Sequence, residues 1–301
     1  MQYNNKKLVV VAGPTAVGKT SLCIKLAQVF NTDIISADSR QFYRELSIGT
    51  AKPTEEEMQG IKHHFIDSHS VDEDYDVGKY ETDVLNLLEK LFKEKDVVIL
   101  TGGSGLYIKA VCEGFDEMPD VKEGLREELN QLYEKKGLQP LVDELKELDP
   151  EYAMEVDNAN PQRVIRALEV IKSVGKPFSS FRRQTKKVRP FKIVKIGLTR
   201  EREELYERID QRVDQMLAQG LLKEATGLHK YKNKNALQTV GYQELFDFLD
   251  NQYDYEEAVR LLKRNTRHYA KRQLTWFRKD SDIKWFPPGE EENIVSYIKT
   301  N

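Results

Sequence analysis

Residues 13–20, Gly-Pro-Thr-Ala-Val-Gly-Lys-Thr, fit the pattern G-x-x-x-x-G-K-[ST], and the chain on either side constrains the fold around them. The apolar run Leu8-Val9-Val10-Val11-Ala12 leads in as a buried strand, and Ser21–Ala27 leads out with helical spacing. Glycines let successive backbone N–H groups converge on an anion, and a helix N-terminus adds the positive end of its dipole. In such a P-loop Gly13, Pro14, Thr15, Ala16, Val17 and Gly18 form the cradle. Lys19 reaches phosphate oxygens, and the Thr20 hydroxyl holds Mg2+. A glycine-rich turn without a ligand needs no such order of strand, loop and helix. Which phosphate compound is held stays open.

Further short apolar runs alternate with helical patterns. Asp33–Ala37, Val97–Thr101 and Ile193–Gly197 lack polar alternation in their centres, as parallel strands covered on both faces do; Ile283–Phe286 is a fifth candidate. Between the third and fourth strands lies more chain than one crossover helix requires. It reads as helices over Leu125–Lys135, Leu138–Leu148 and Pro161–Val174, the last with Asn160 as N-cap, Pro161 in its first turn and Gly175 past its end. The expected class is α/β: a P-loop NTPase-like doubly wound parallel sheet with an inserted small all-helical domain. Residues 1–112 with 191–301 form the sheet core and C-terminal helices, and 113–190 the insertion.

Composition narrows the function classes. The 301 residues are 32% charged and contain no apolar run long enough to span a bilayer. The N-terminus, Met1–Lys7, enters the first strand without a signal-peptide apolar core. Cys23 and Cys112 lie far apart in apolar helical surroundings, which suits buried reduced thiols in a cytoplasmic protein. The net charge of −3 argues against a polyanionic partner, but its distribution argues for one. Acid gathers at Glu55–Glu57, Asp72–Asp74 and from Glu113 to Asp157; base gathers in Arg182-Arg183-Gln-Thr-Lys186-Lys187-Val-Arg189 and from Arg260 to Lys279. On a helix, Arg260, Arg264, Arg267, Lys271 and Arg278 form one narrow stripe, with Val259, Leu262, Thr266, Tyr269, Trp276 and Phe277 turned away. A basic face without interleaved acid suits a phosphate backbone.

In an open α/β sheet, ligands bind beyond the carboxyl ends of the strands. Besides the P-loop, Asp38–Tyr43 and Thr101–Tyr107 leave such ends. Asp38 is the carboxylate best placed for chemistry, either as a helix cap or magnesium neighbour, or as a general base across the sheet top from a phosphate. The third strand ends in Thr101 without the aspartate of a Walker B motif, so the ATPase pattern is incomplete. Gln41 suits either an adenine edge or plain surface. Arg212 sits roughly 20° from Leu205 at the border of the apolar stripe of its helix. It either pairs with a carboxylate there or faces an anionic ligand. The helix start at Gln162-Arg163, continuing to Arg166, offers a second phosphate contact. His63-His64 point to opposite sides of an extended chain and have no completing ligands, so no metal is assigned there.

Taken in order, GPTAVGKT (13–20), DSRQFY (38–43), IGTAKP (48–53), HHFID (63–67), TGGSGLYIKA (101–110), NPQRVIRALEV (160–170), YERIDQRVDQML (206–217), TVGYQEL (239–245) and YAKRQLTWFR (269–278) resemble the tRNA dimethylallyltransferases of bacterial type. The acidic stretch after Glu113 matches less clearly. The resemblance implies transfer of a dimethylallyl group from its diphosphate to N6 of the adenosine 3′ of the anticodon, adenine 37, in tRNAs reading codons that begin with U. It implies Asp38 as general base, with Lys19, Thr20 holding Mg2+ and Arg212 on the departing pyrophosphate. It places tRNA contacts at Asp38, Ser39, Arg40, Gln41, Ser104, Arg126, Gln162, Arg163, Val164, Ile165, Arg166, Gln238, Thr239, Val240, Gly241, Tyr242 and Gln243, to which the basic stripe adds Arg267. The expected partners are the tRNA anticodon stem-loop and dimethylallyl diphosphate, with no membrane and a monomeric chain. A nucleotide or small-molecule kinase shares the P-loop and strand-end Asp and predicts ATP consumption. A nucleotide-gated RNA-binding module would tolerate loss of Asp38.

Overall fold

Strand centres apolar on both faces must be covered on both faces, and in this computed structural model they are. The structure describes residues 5–116, 118–182 and 186–301. These form two compact units, one from the described residues of 1–113 and 188–301, the other from those of 114–187.

The first unit is built on six parallel strands: β1 (Lys7–Ala12), β2 (Ile34–Ser36), β3 (His63–His64), β4 (Val97–Gly102), β5 (Lys192–Leu198) and β6 (Lys284–Phe286). Their order across the sheet is β3-β2-β4-β1-β5-β6. Its helices are α1 (Lys19–Phe30), α2 (Glu55–Met58), α3 (Val77–Leu91) and α4 (Gly105–Glu113), and, after the second unit, α9 (Arg202–Ala218), α10 (Leu221–Leu228), α11 (Gln243–Leu249), α12 (Tyr255–Phe277) and α13 (Glu291–Thr300). Alternate residues of β1 enter separate cores. Leu8 and Val10 pack with Leu100, Tyr80 and Leu245, while Val9 and Val11 pack with Ile99, Leu26 and Ile209. Each such aliphatic side chain contributes about 1.5–3 kcal/mol on burial.

Register positions the functional edge. Ala12 of β1 lies level with Gly102 of β4 and Gly197 of β5, and Ser36 of β2 lies level with Thr101. The segments leaving β1, β2 and β4 therefore emerge together.

The differences from expectation are local. β2 is shorter than Asp33–Ala37. β3 was not foreseen as a strand, because two histidines carry no apolar run. In extended chain they diverge: His64 Nε2 lies 2.8 Å from Asp33 Oδ2, and His63 Nδ1 lies 2.9 Å from the Ile61 carbonyl. Cys23 and Cys112 are buried free thiols, and burial pushes both up to about 12.

The second unit contains α5 (Leu125–Lys136), α6 (Gln139–Leu148), α7 (Pro150–Glu155) and α8 (Pro161–Val174). Asn160 caps α8 by accepting from Arg163 N–H, and Gly175 closes it in the left-handed conformation. Leu129, Leu141, Leu145, Val164 and Leu168 fill its separate core. Among the described residues, no helix is long and apolar enough to cross a membrane.

Candidate active site

The P-loop takes its shape from backbone that ordinary side chains resist. Gly13 has φ +149°, and a Cβ there would stand 2.9 Å from the Leu198 carbonyl oxygen. Ala16 holds φ 62° despite its Cβ, a conformation that costs about 1–3 kcal/mol and persists only where the surroundings enforce it. Among the described residues, the N–H groups of Ala16, Val17 and Gly18 meet no protein acceptor, whereas Thr15 N–H donates to Gln273 Oε1 at 2.9 Å. Arginines brace the outside of the loop: Arg200 Nε donates to the Val17 carbonyl and Arg208 Nε to the Ala16 carbonyl, each at 2.9 Å. Arg212 Nη1 lies 3.4 Å from Thr15 Oγ1. Arg212 thus reaches the loop from α9. Desolvation, with Arg208 alongside, holds its pKa below the usual value.

Lys19 Nζ donates to the carbonyls of Gly13 at 2.9 Å and Pro14 at 2.8 Å. Burial lowers its pKa to about 8; the Asp38 carboxylate opposes that shift and Arg212 adds to it. Lys19 therefore stands within electrostatic reach of both. Thr20 is exposed at the start of α1.

Asp38 caps no helix. Its Oδ1 accepts from Arg40 N–H at 3.0 Å, closing a turn directly beyond β2. Neighbouring loops lock that turn. Ser39 N–H donates to Ser104 Oγ at 3.0 Å, Ser104 N–H donates to the Ala37 carbonyl at 3.3 Å, and Arg40 Nη1 reaches the Asn235 carbonyl at 2.8 Å. Phe42 underpins it, stacking on Tyr80 with ring centroids 5.1 Å apart.

Several expected contact residues have other duties. Gln41 Nε2 donates to the Thr50 and Ala51 carbonyls and its Oε1 accepts from Ser36 Oγ, so it ties loops together. Tyr242 is buried, its hydroxyl donating to Glu224 at 2.6 Å, and Gly241 N–H donates to Glu244 within the buried interior. Glu224 also accepts from the N–H groups of Ser47, Ile48 and Gly49, binding the two segments. Gln238 and Gln243 are exposed, and Thr239 and Val240 half-buried.

In the helical unit, Arg126, Gln162 and Arg163 are exposed. Val164 and Ile165 are core residues, which corrects their reading as contacts: at positions four and five of α8 their side chains turn inward. Arg166 is ion-paired with the buried Glu169 at 2.7 Å.

The basic clusters also need correction. On α12, Arg267 pairs with Asp210 of α9 and lies over the Tyr206 ring, so it joins two helices instead of standing free. Arg260 is paired with Glu257 one turn back. Arg264, Lys271 and Arg278 are exposed. In the run 182–189, Arg182 pairs with Glu155, and Arg189 is buried against Glu81. Arg183 lies outside the described residues, as do Gln184 and Thr185.

Sequence reasoning missed Arg200 and Gln273. Gln273 lies within YAKRQLTWFR (269–278), but a glutamine there carries no role of its own until the packing of α12 reveals its place.

A glycine-bearing loop between β1 and α1, with Lys19, Arg200, Arg208 and Arg212 against it and Asp38 within electrostatic reach of Lys19, belongs to a P-loop α/β protein. Comparison with known proteins narrows the class. A family model described as IPP transferase matches residues 41–280. The tRNA dimethylallyltransferase of Cytophaga hutchinsonii is 54% identical, covering 99% of this chain and 98% of the relative, and tRNA dimethylallyltransferase 1 of Bacteroides fragilis is 49% identical, covering 98% of each. Among solved structures, the full-length tRNA isopentenylpyrophosphate transferase of Bacillus halodurans is 39% identical with a TM-score of 0.72, covering 99% of this chain and 96% of its own. A eukaryotic dimethylallyltransferase captured acting on tRNA gives 0.78 at 28% identity, covering 98% and 77%. The chain belongs to the tRNA dimethylallyltransferase (IPP transferase) family.

Proposed function

We propose that this protein transfers a dimethylallyl group from dimethylallyl diphosphate to N6 of adenine 37, 3′ of the anticodon, in tRNAs reading codons that begin with U. The observation that carries the reading is the anion cradle with Lys19 and Arg212 at the same sheet edge as the Asp38 carboxylate. The exocyclic nitrogen attacks the allylic carbon. The bond from that carbon to the diphosphate oxygen breaks, its electron pair leaving with pyrophosphate, and Asp38 accepts the N6 proton. Loop amides, Lys19 and Arg212 hold the charge that builds on the leaving group, where preorganised donors contribute most.

Mg2+ fits the oxygen donor at the start of α1, the exposed Thr20 hydroxyl. Among the described residues, no group of three or more His, Cys, Asp or Glu side chains could hold a metal ion. Mg2+ takes one or two protein oxygens together with water and substrate phosphates. When bound, it would neutralise diphosphate charge.

The target adenine must leave its stack to be read. Ser39, Arg40, Ser104, Gln238, Thr239, Val240 and Gln243 supply contacts in the sheet unit, together with the exposed cations of α12. Arg126, Gln162 and Arg163 grip the anticodon stem from the helical unit. One chain suffices, acting in the cytoplasm.

The test combines the protein with Mg2+, labelled dimethylallyl diphosphate and unmodified tRNA whose anticodon is followed by A-A-A. Label should enter the RNA whether or not ATP is present. ATP consumption without label would instead favour a kinase.

A further inference from the structure

Gln273 is among the few buried polar side chains of the sheet unit, 6% exposed, and both ends of its amide are committed. Its Oε1 accepts from Thr15 N–H of the P-loop at 2.9 Å, and its Nε2 donates to the Gly103 carbonyl at 3.0 Å in the loop after β4. The second loop is shaped around it: a Cβ on Gly103 would stand 2.2 Å from Nε2. From Gly103 the connection runs one residue to Ser104, whose hydroxyl holds Ser39 N–H and whose own N–H holds the Ala37 carbonyl, on either side of Asp38. From Thr15 it runs to Arg212 through the threonine hydroxyl.

A primary amide is the neutral side chain that offers an acceptor and a donor on one short planar group. Here it spans the two segments that must keep a fixed separation, one cradling the leaving group and the other holding the carboxylate. We infer that Gln273 is a positioning residue, which sets the distance between diphosphate cradle and base without touching substrate. The inference rests on the reading of the P-loop and Asp38 given above.

Two substitutions test it, Gln273→Met and Gln273→Glu. Methionine keeps the volume and loses both hydrogen bonds. Misplacing reacting groups by about 1 Å costs on the order of 100-fold in rate. Gln273→Met should therefore lower kcat about 100-fold while tRNA affinity stays within about twofold. Glutamate supplies the decisive arm. Ionised, it can accept from Thr15 N–H but cannot donate to Gly103; protonated, it does both. Burial raises a carboxyl pKa. The ratio of the Gln273→Glu rate to the wild-type rate should therefore climb about tenfold as pH falls from 8 to 6. A buried ionised glutamate also weakens the fold, so the ratio is read only at temperatures where thermal unfolding shows the Gln273→Glu protein fully folded at both pH 8 and pH 6.

A methionine variant within twofold of wild-type kcat, or a glutamate variant whose rate ratio is flat with pH, overturns the assignment. If the methionine variant does not fold, as judged by thermal unfolding, the glutamate ratio decides. Asp38→Ala is run in parallel. Full turnover there removes the reading of Asp38 itself, whatever the Gln273 variants do.

Discussion

Lys19 carries the clearest pH signature at the scale of single residues. With its pKa near 8, it is mostly charged at neutral pH and neutral well above 8. An anion bound beside it favours the charged form and raises that pKa toward its ordinary value of about 10.4. The complex then binds more protons than the free protein between these two values. Pyrophosphate affinity should thus decline as pH rises above about 8, with proton uptake on binding at pH 8.5. Calorimetry in buffers of different ionisation enthalpy reads both, and no uptake would place the ammonium away from the anion. The same linkage acts on folding: the unfolded chain holds the proton to higher pH, so this residue destabilises the native state below pH 8 and ceases to do so above about 10.4. Asp38→Ala should reduce prenylation by about 100-fold or more while tRNA binding persists, in keeping with loss of a general base. Normal turnover would remove Asp38 from that role. Lys19, Thr20 and Asp38 were legible because motif and strand ends place them. Arg212 was ambiguous, since a helix-face angle cannot say what stands opposite.

At the scale of elements, α12 does more than present a basic stripe. Arg267 and Lys263 pair with Asp210 and Asp214 of α9, the helix that aims Arg208 and Arg212 at the P-loop. Gln273 lies about 120° around α12 from Arg267, on another face of the same helix. Arg267→Gln should therefore act through helix pairing: a double-mutant cycle with Asp210→Asn should give a coupling of about 0.2–1 kcal/mol, the range for partly exposed pairs. Zero coupling would return Arg267 to the free surface. The exposed Lys271 belongs to a different test. Lys271→Glu should weaken tRNA binding and lower the salt slope by about one or more, as loss of a phosphate contact does. An unchanged slope would make this face ordinary surface.

For the whole molecule, the separate cores of the two units make separable behaviour the expectation. Leu168 is fully buried in the helical unit. Leu168→Ala should cost that unit about 2–5 kcal/mol. Pyrophosphate binding should remain within about twofold while tRNA turnover falls at elevated temperature, and hydrogen exchange should show the loss confined to 114–187. A matching loss of protection in β1 and β4 would mean that the units fold as one.

The sequence alone determined what depends on local pattern. Apolar runs specified covered parallel strands, one glycine-lysine motif specified an anion cradle, and cap residues bounded α8 at both ends. These signals lie within a few residues of one another, where backbone sterics and hydrophobic period act directly. Tertiary structure decided which side chains reach the site. It turned Val164, Ile165 and Tyr242 inward, paired Arg267 with a neighbouring helix, and brought Arg200, Arg208 and Gln273 to a loop far from them in the chain. Those outcomes depend on which faces of distant elements pack together, and burial and partner choice are set only there.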